Sequence, residues 1–336
     1  MKYLHYTFIF IFISCLMINN LPNKRQGNLV LEHKNYEHYN FANNSSTAEH
    51  KLSANIVSNH VSVDRKKDNL ANYKELISLG INLYWNEELK RRYISYRTEN
   101  QISWEDAVTF VNIGLDAPRY SNISEIEMPE ALDVWVDKYR KLPANYFPDD
   151  LKNVRREFSS RSLKLRSEAC DAFETMCLAA IEDGIKLIAV SAYRDYEYQE
   201  KVYFRYYTNK MSLNDYIATR DRVSARAGHS EHQTGYAVDV GCDEDSLLKE
   251  SFEKTEAGIW LAKNCEKYGF ILRYPKDKEH ITGYKYEPWH FRYLGTDLAR
   301  RVEESGLTYD EFCARNLRNI NNESISPDIS SNDSIK

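Results

Sequence analysis

The stretch GHSEHQTGYAVDVG, residues 228–241, decides the fold and the site expected for this chain. Its second half is a short apolar run that predicts a buried strand containing one charged residue, Asp239. A carboxylate in such a strand is costly unless it is paired or bound to a metal ion. His232 lies seven residues earlier, and a turn at residues 233–235 would bring both side chains to one point. A buried aspartate that pairs with an arginine, or that caps a turn, is the alternative interpretation.

Two shorter segments supply further candidate residues. The stretch EPWH, residues 287–290, places Glu287 three residues before His290, although a surface glutamate beside a core histidine is the favoured interpretation of this pair taken alone. The stretch SAYR, residues 191–194, ends an expected strand with an arginine, which could stabilise an oxyanion or pair with a neighbouring acidic residue at the surface. Taken together, two imidazoles, one carboxylate and a nearby glutamate fit a catalytic zinc site with an open position for water.

The spacing of apolar residues predicts the surrounding elements. Ser103 and Thr308 are the expected N-caps of two helices, the second with a capping box to Glu311. A pattern of helices first, followed by short strands mixed with helices, indicates an α+β fold. We expect a small antiparallel sheet with flanking helices, preceded by a helical segment. Helices are predicted at residues 69–116, 160–183, 195–207, 212–226 and 258–268, and strands at 185–193, 235–241, 270–275 and 287–295.

The composition and the two ends of the chain limit the class of protein that it can be. Of the 336 residues, 42% are hydrophobic and 28% are charged, as in globular proteins, and the net charge of −5 argues against nucleic-acid binding. The six cysteines include no CxxC pair, so neither a cysteine zinc site nor a disulfide framework is indicated. The first residues resemble a secretory signal or membrane anchor, with a lipid on Cys15 as a third possibility. We expect this leader at residues 1–21, a disordered spacer at 22–68, a helical region at 69–141, a catalytic domain at 142–317 and a disordered tail at 318–336.

Several stretches together resemble the zinc D-alanyl-D-alanine carboxypeptidases of the VanY type, whose fold is shared with the lysostaphin-like and VanX-type peptidases. The family motif S-x-H-x-x-G-x-A-x-D is met from Ser230 to Asp239, and E-x-W-H is met from Glu287 to His290. The matching stretches, in family order, are SAYRDYEYQ (191–199), GHSEHQTGYAVDVG (228–241), GFILRYP (269–275) and EPWHFRYLG (287–295). The chain departs from the family pattern at Ala192 and Ala227, where glycine and proline are expected.

The resemblance implies one Zn²⁺ per chain and a role for each matched residue. The implied ligands are His232, Asp239 and His290, with Glu287 as the general base. Arg194 is implied to stabilise the intermediate. The candidates for the substrate pocket are Tyr193, Gln199, Ser230 and Trp289.

The implied function is a zinc-dependent D,D-carboxypeptidase that removes the terminal D-Ala from peptidoglycan stem peptides or their precursors. An L,D-carboxypeptidase, an endopeptidase within the stem and a D,D-dipeptidase fit the same motifs. A non-catalytic wall-binding module is the alternative from another class. We expect a protein exported to a bacterial cell wall, which contacts the membrane only through its N-terminal segment.

Overall fold

The computed structural model describes residues 74–208, 210–243, 245 and 247–316. The leader, spacer and tail expected at residues 1–21, 22–68 and 318–336 lie outside them. Among the described residues, no helix is both long and apolar enough to cross a membrane.

Short strands and helices alternate along the described chain. The strands are β1 (Ser124–Glu125), β2 (Arg140–Lys141), β3 (Leu151–Asn153), β4 (Lys164–Arg166), β5 (Ile188–Ser191), β6 (Ala237–Gly241), β7 (Phe270–Leu272) and β8 (His290–Tyr293). After the helical residues 74–78, the helices are α1 (Lys90–Asn100), α2 (Trp104–Ile113), α3 (Ser167–Glu182), α4 (Tyr196–Phe204), α5 (Leu213–Arg220), α6 (Glu256–Asn264), α7 (Glu279–Thr282), α8 (Thr296–Ser305) and α9 (Tyr309–Arg315).

Four strands form the central sheet in the order β5–β6–β8–β7, and every neighbouring pair is antiparallel. Every residue of β6 is buried, because this strand has a neighbour on each side and packed elements on both faces. The register places Asp239 of β6 directly beside His290 of β8. The expected fold class, α+β with a small antiparallel sheet and flanking helices, is therefore confirmed.

Helix α3 packs its apolar face onto this sheet. Phe173, Met176 and Ala180 recur at helical spacing and are fully buried in the same core as Val238 and Phe291 of the sheet. Burial of each large apolar side chain contributes about 1.5–3 kcal/mol, so this face fixes the helix against β6 and β8.

The helix predicted from residue 160 begins only at Ser167, so this prediction was wrong at its N-terminal end. Leu163 and Leu165 are buried and Lys164 between them is exposed, which is the alternation of a strand. Strand β4 accordingly pairs with β3 before α3 starts. Helix α5 likewise ends at Arg220 rather than at residue 226.

The N-terminal helices form a second core of their own. Tyr93 and Trp104 are buried there, and the Ser103 hydroxyl accepts from the Asp106 backbone N–H, which confirms the predicted N-cap. The Asn112 side-chain amide donates to the carbonyl of Ala314 in α9 at 3.1 Å, so α2 is in contact with the last helix of the described chain. The boundary expected at residues 141–142 stays a prediction.

Helix α9 begins with the predicted capping box, in which Thr308 and Glu311 each bind the other's backbone N–H. The cysteines of the described residues are all buried and unpaired, as expected. They lie at positions 170, 177, 242, 265 and 313.

Candidate metal centre

His232, Asp239 and His290 meet at one point beside the central sheet. One possible ligand atom from each lies within 4.8 Å of the other two, and all three residues are buried. The Asp239 carboxylate lies between the two rings, with Oδ2 3.3 Å from His232 Nε2 and Oδ1 3.1 Å from His290 Nδ1. The pairing of β6 with β8 brings Asp239 and His290 together directly, because the two residues are cross-strand neighbours.

A tight turn brings His232 to the other two residues. Residues Glu231–Thr234 form a single 3₁₀ turn, and Gly235 ends it in the left-handed region at φ 76°. The Gly235 carbonyl accepts from the Arg166 backbone N–H at 3.0 Å, which ties the turn to β4. The predicted turn at residues 233–235 is thus present.

Each imidazole is oriented by a group on its far side. His232 Nδ1 donates to the Ala192 carbonyl at 2.7 Å, which leaves its Nε2 lone pair directed at Asp239. The far nitrogen of His290, Nε2, lies 3.5 Å from Glu231 Oε2. Metal-binding histidines usually have such a partner, because it fixes the tautomer that coordinates the ion.

This donor set fits Zn²⁺. Two imidazole nitrogens and one carboxylate oxygen are the ligands of catalytic zinc sites, and they leave the fourth tetrahedral position open. His232 Nε2 is buried and has no partner with hydrogen-bond geometry in the described structure, as expected of an atom that serves as a metal ligand.

Two of the three candidate ligands are already in the protonation state that a metal ion requires. Burial raises the pKa of Asp239, but the two adjacent histidines more than compensate and hold it well below its usual range, so this carboxylate stays ionised. Burial lowers the pKa of His232 to about 4, with a further decrease from Arg194, and this ring is therefore neutral. Burial also opposes protonation of His290, yet its bonds to Asp239 and Glu231 raise its pKa to about 9. Metal binding to His290 Nδ1 must therefore displace a proton.

Glu287 and Arg194 border the cluster, each next to a different candidate ligand. Glu287 Oε2 lies 3.8 Å from His290 Nδ1, and Arg194 Nη2 lies 3.8 Å from Asp239 Oδ2. The pKa of Glu287 is raised to about 7, mainly by burial. Of its two nearest charged neighbours in the cluster, His290 lowers this pKa and Asp239 raises it. The alternative interpretation of Arg194, a surface pair with a neighbouring acidic residue, was wrong: the side chain is mostly buried and Asp195 instead caps α4.

The candidates for the substrate pocket occupy different surroundings. Gln199 is buried and donates to the Ala225 carbonyl at 2.7 Å, while its Oε1 has no partner in the described structure. Ser230 is buried immediately before the 3₁₀ turn, and Tyr193 is partly exposed next to Arg194. Trp289 packs against the main core. Their roles toward substrate stay predictions.

Two residues of the centre were missed from sequence. Glu231 is buried behind His290, and the ring of Tyr274 packs against His290 with 4.8 Å between ring centroids. Both lie within stretches that carry the resemblance, Glu231 between the motif serine and histidine and Tyr274 in GFILRYP. The motifs themselves specify neither position, so nothing in the sequence placed either residue in the metal centre.

Comparison with known proteins identifies the family. Residues 162–296, which include all five central site residues, match the family model described as VanY, D-alanyl-D-alanine carboxypeptidase. The chain is 40% identical to YodJ of Bacillus subtilis (strain 168) over 202 residues, which are 59% of this chain and 72% of YodJ. The chain belongs to the VanY family of D-alanyl-D-alanine carboxypeptidases.

Other similar proteins agree with this assignment. The bifunctional D-Ala-D-Ala dipeptidase and D-Ala-D-Ala carboxypeptidase VanXYC of Enterococcus gallinarum is 35% identical over 181 residues, which are 53% of this chain and 90% of VanXYC. Among solved structures, the LdcB LD-carboxypeptidase is 40% identical and matches with a TM-score of 0.53, covering 58% of this chain and 91% of LdcB.

Proposed function

We propose that this VanY-family chain is a zinc-dependent D,D-carboxypeptidase that removes the terminal D-Ala from peptidoglycan stem peptides. One observation carries the proposal: His232, Asp239 and His290 form a buried three-donor cluster, with Glu287 3.8 Å from one of its nitrogens. This is the constellation that metal-assisted peptide hydrolysis requires, namely an open metal position and an adjacent general base.

Zn²⁺ bound by these three residues would supply a Lewis acid that polarises the scissile carbonyl. Glu287 then takes a proton from the attacking water and delivers it to the nitrogen of the departing D-Ala. In the metal-free protein, burial raises the pKa of Glu287 above its ordinary value, which favours a carboxyl group that both accepts and releases a proton. Arg194 lies 3.8 Å from Asp239 Oδ2 and would stabilise the negative charge that develops on the carbonyl oxygen.

An L,D-carboxypeptidase acting on tetrapeptides is the second candidate. The likeness to LdcB, an LD-carboxypeptidase with 40% identity to this chain, favours it specifically. Both activities use the same cluster and differ in the residue that precedes the cleaved bond. The pocket around Tyr193, Gln199 and Ser230 would decide between them.

The proposed substrate lies outside the cytoplasm, and this agrees with the leader expected from the sequence at residues 1–21. We therefore propose that the protein is exported to the cell wall and that any membrane contact runs through this N-terminal segment. Detection of the protein in cytoplasmic rather than in wall or membrane fractions would contradict this location.

The function is tested by mass spectrometry of the products formed from a stem pentapeptide and from a stem tetrapeptide. Each is incubated with the full chain as purified, after treatment with a chelator, and after zinc is returned. Loss of one alanine from the pentapeptide, abolished by the chelator and restored by zinc, is the expected result. Cleavage of the tetrapeptide alone would assign the L,D activity, and cleavage that persists in the chelator would contradict the zinc mechanism.

A further inference from the structure

Glu231 is fully buried and contacts charged groups at both ends of its carboxylate. Oε1 accepts from Arg273 Nε at 2.8 Å and from Arg292 Nη1 at 3.2 Å. Oε2 faces His290 Nε2 at 3.5 Å, and neither of these two atoms has another hydrogen-bond partner in the described structure. The carboxylate therefore bridges a pair of arginines and the outer edge of a candidate metal ligand.

The arginine side of this bridge is anchored to the last described helix. Arg273 donates from Nη1 and Nη2 to the two carboxylate oxygens of Asp310 at 2.7 and 2.8 Å. Asp310 also accepts from the indole N–H of Trp135 at 2.8 Å. The planar guanidinium of Arg273 is bound by Asp310 on one edge and by Glu231 on the other. It therefore fixes Oε1 of Glu231 and thereby the direction of Oε2.

We propose that Glu231 is a positioning residue for the metal centre: by accepting the Nε2–H of His290, it selects the tautomer whose Nδ1 lone pair points to the metal position beside Asp239. The proposal rests on the proposed function in one respect, which is that the cluster binds zinc. Glu231 itself does not touch the metal position, since it lies on the opposite edge of the His290 ring.

Only a carboxylate satisfies both ends of this bridge. The arginines are donors alone, and His290 in the metal-binding tautomer is also a donor at Nε2, so both oxygens must accept. A glutamine at this position has one accepting and one donating end. Its NH₂ group must therefore face either the arginines, which are also donors, or His290 Nε2. When the NH₂ group faces His290, Nε2 must accept, and the proton moves to Nδ1, so this tautomer cannot coordinate a metal through Nδ1.

The test compares Glu231→Gln with Glu174→Gln in the full chain. Both variants remove one buried carboxylate that binds an arginine, since Glu174 Oε2 accepts from Arg155 Nε at 2.9 Å, but only the first removes the acceptor that faces His290. Zinc affinity is measured by competition with a chromophoric chelator, and stability by urea unfolding of the metal-free proteins. We expect both variants to lose stability, and zinc affinity to fall about 10–100-fold in Glu231→Gln while it stays close to wild type in Glu174→Gln.

Unchanged zinc affinity in Glu231→Gln would overturn the proposal. Equal losses of affinity in both variants would overturn it as well, because the effect would then be a general consequence of disturbing the buried charges. If Glu231→Gln does not fold, long-range ¹⁵N NMR of the zinc-loaded wild-type chain decides the point. A proton on His290 Nε2 with zinc on Nδ1 supports the proposal, and the reverse placement refutes it.

These outcomes separate the inference from the proposed function. A wild-type chain that binds zinc but cleaves neither stem peptide would refute the function, while the affinity comparison still tests Glu231. A wild-type chain that binds no zinc would refute both.

Discussion

Substitution of Gly235 by alanine tests how strictly the turn before β6 controls the metal centre. Gly235 ends the 3₁₀ turn that carries His232, and four residues later the chain presents Asp239. Its φ of 76° lies in the left-handed region, which alanine adopts at a cost of about 1–2 kcal/mol.

A methyl group at this position would also lack space. It would lie 2.8 Å from Arg166 Cγ, 3.2 Å from Leu151 Cδ2 and 3.3 Å from Pro148 Cγ. Arg166 cannot simply move away, because its guanidinium binds the Asp150 carboxylate and the Glu130 carbonyl, each at 2.7 Å. Overpacking of this kind costs about 1–3 kcal/mol, so the free energy of unfolding should fall by about 2–5 kcal/mol in total.

Gly184→Ala is the matched control. Gly184 has nearly the same φ, 78°, but no atom lies within 4 Å of the added methyl group, and the residue follows α3 away from the metal centre. This variant should lose only the conformational part, about 1–2 kcal/mol. We expect weaker zinc binding in Gly235→Ala, because relief of the contact with Arg166 displaces His232 relative to Asp239, and unchanged binding in Gly184→Ala.

Urea unfolding of the metal-free full chains and zinc competition with a chelator supply both measurements. Equal losses of stability in the two variants would show that the contact with Arg166 is absorbed without cost. Unchanged zinc affinity in Gly235→Ala would refute the conclusion that this turn sets the distance between the two ligands.

Three further predictions follow from the same structure. Glu287→Gln should lower kcat by about 10²–10⁴-fold in the peptide assay, since the proton acceptor is lost, while chelator competition shows that zinc still binds. Zinc at 100 times its Kd should raise the free energy of unfolding by about 2.7 kcal/mol in urea titrations, and no shift in the midpoint would contradict a folded-state zinc site. Burial lowers the pKa of His229 from 6.5 to about 4, so the metal-free protein should lose stability as the pH falls through this window, where the unfolded chain binds the extra proton. His232 has a similarly lowered pKa and adds to the same loss. His229→Gln should therefore reduce the slope in urea titrations between pH 4 and 7 without abolishing it, and an identical slope in both proteins would exclude a contribution from His229.

The residues of the metal centre were predictable where their geometry is local. His232 and Asp239 lie on either side of a single turn, and the glycine at position 235 predicts that turn. His290 comes from a separate strand, so spacing alone left open whether it was a ligand. The combination of donor types suggested a zinc site, and the resemblance to the VanY family assigned His290 to it before the sheet register was known.

Glu231 was not predictable, for a physical reason. Its partners Arg273 and Arg292 lie 42 and 61 residues further along the chain. A glutamate between a serine and a histidine has the local pattern of an exposed turn, and its burial depends on those distant cations. The start of α3 was predicted wrongly for a different reason. The strand before it shows its alternation at only two buried positions, Leu163 and Leu165, and these are too few to stand out from the strong helical pattern that follows.

The position of Asp310 in the chain has a consequence for the order of assembly. Until α9 docks and supplies Asp310, the buried Arg273 and Arg292 share the single carboxylate of Glu231, and a buried charge without its partner is strongly destabilising. A nascent chain that has not yet been synthesised beyond residue 310 therefore lacks a stable support for His290. We therefore expect the support of His290 to be complete only after nearly all of the described sequence has been made.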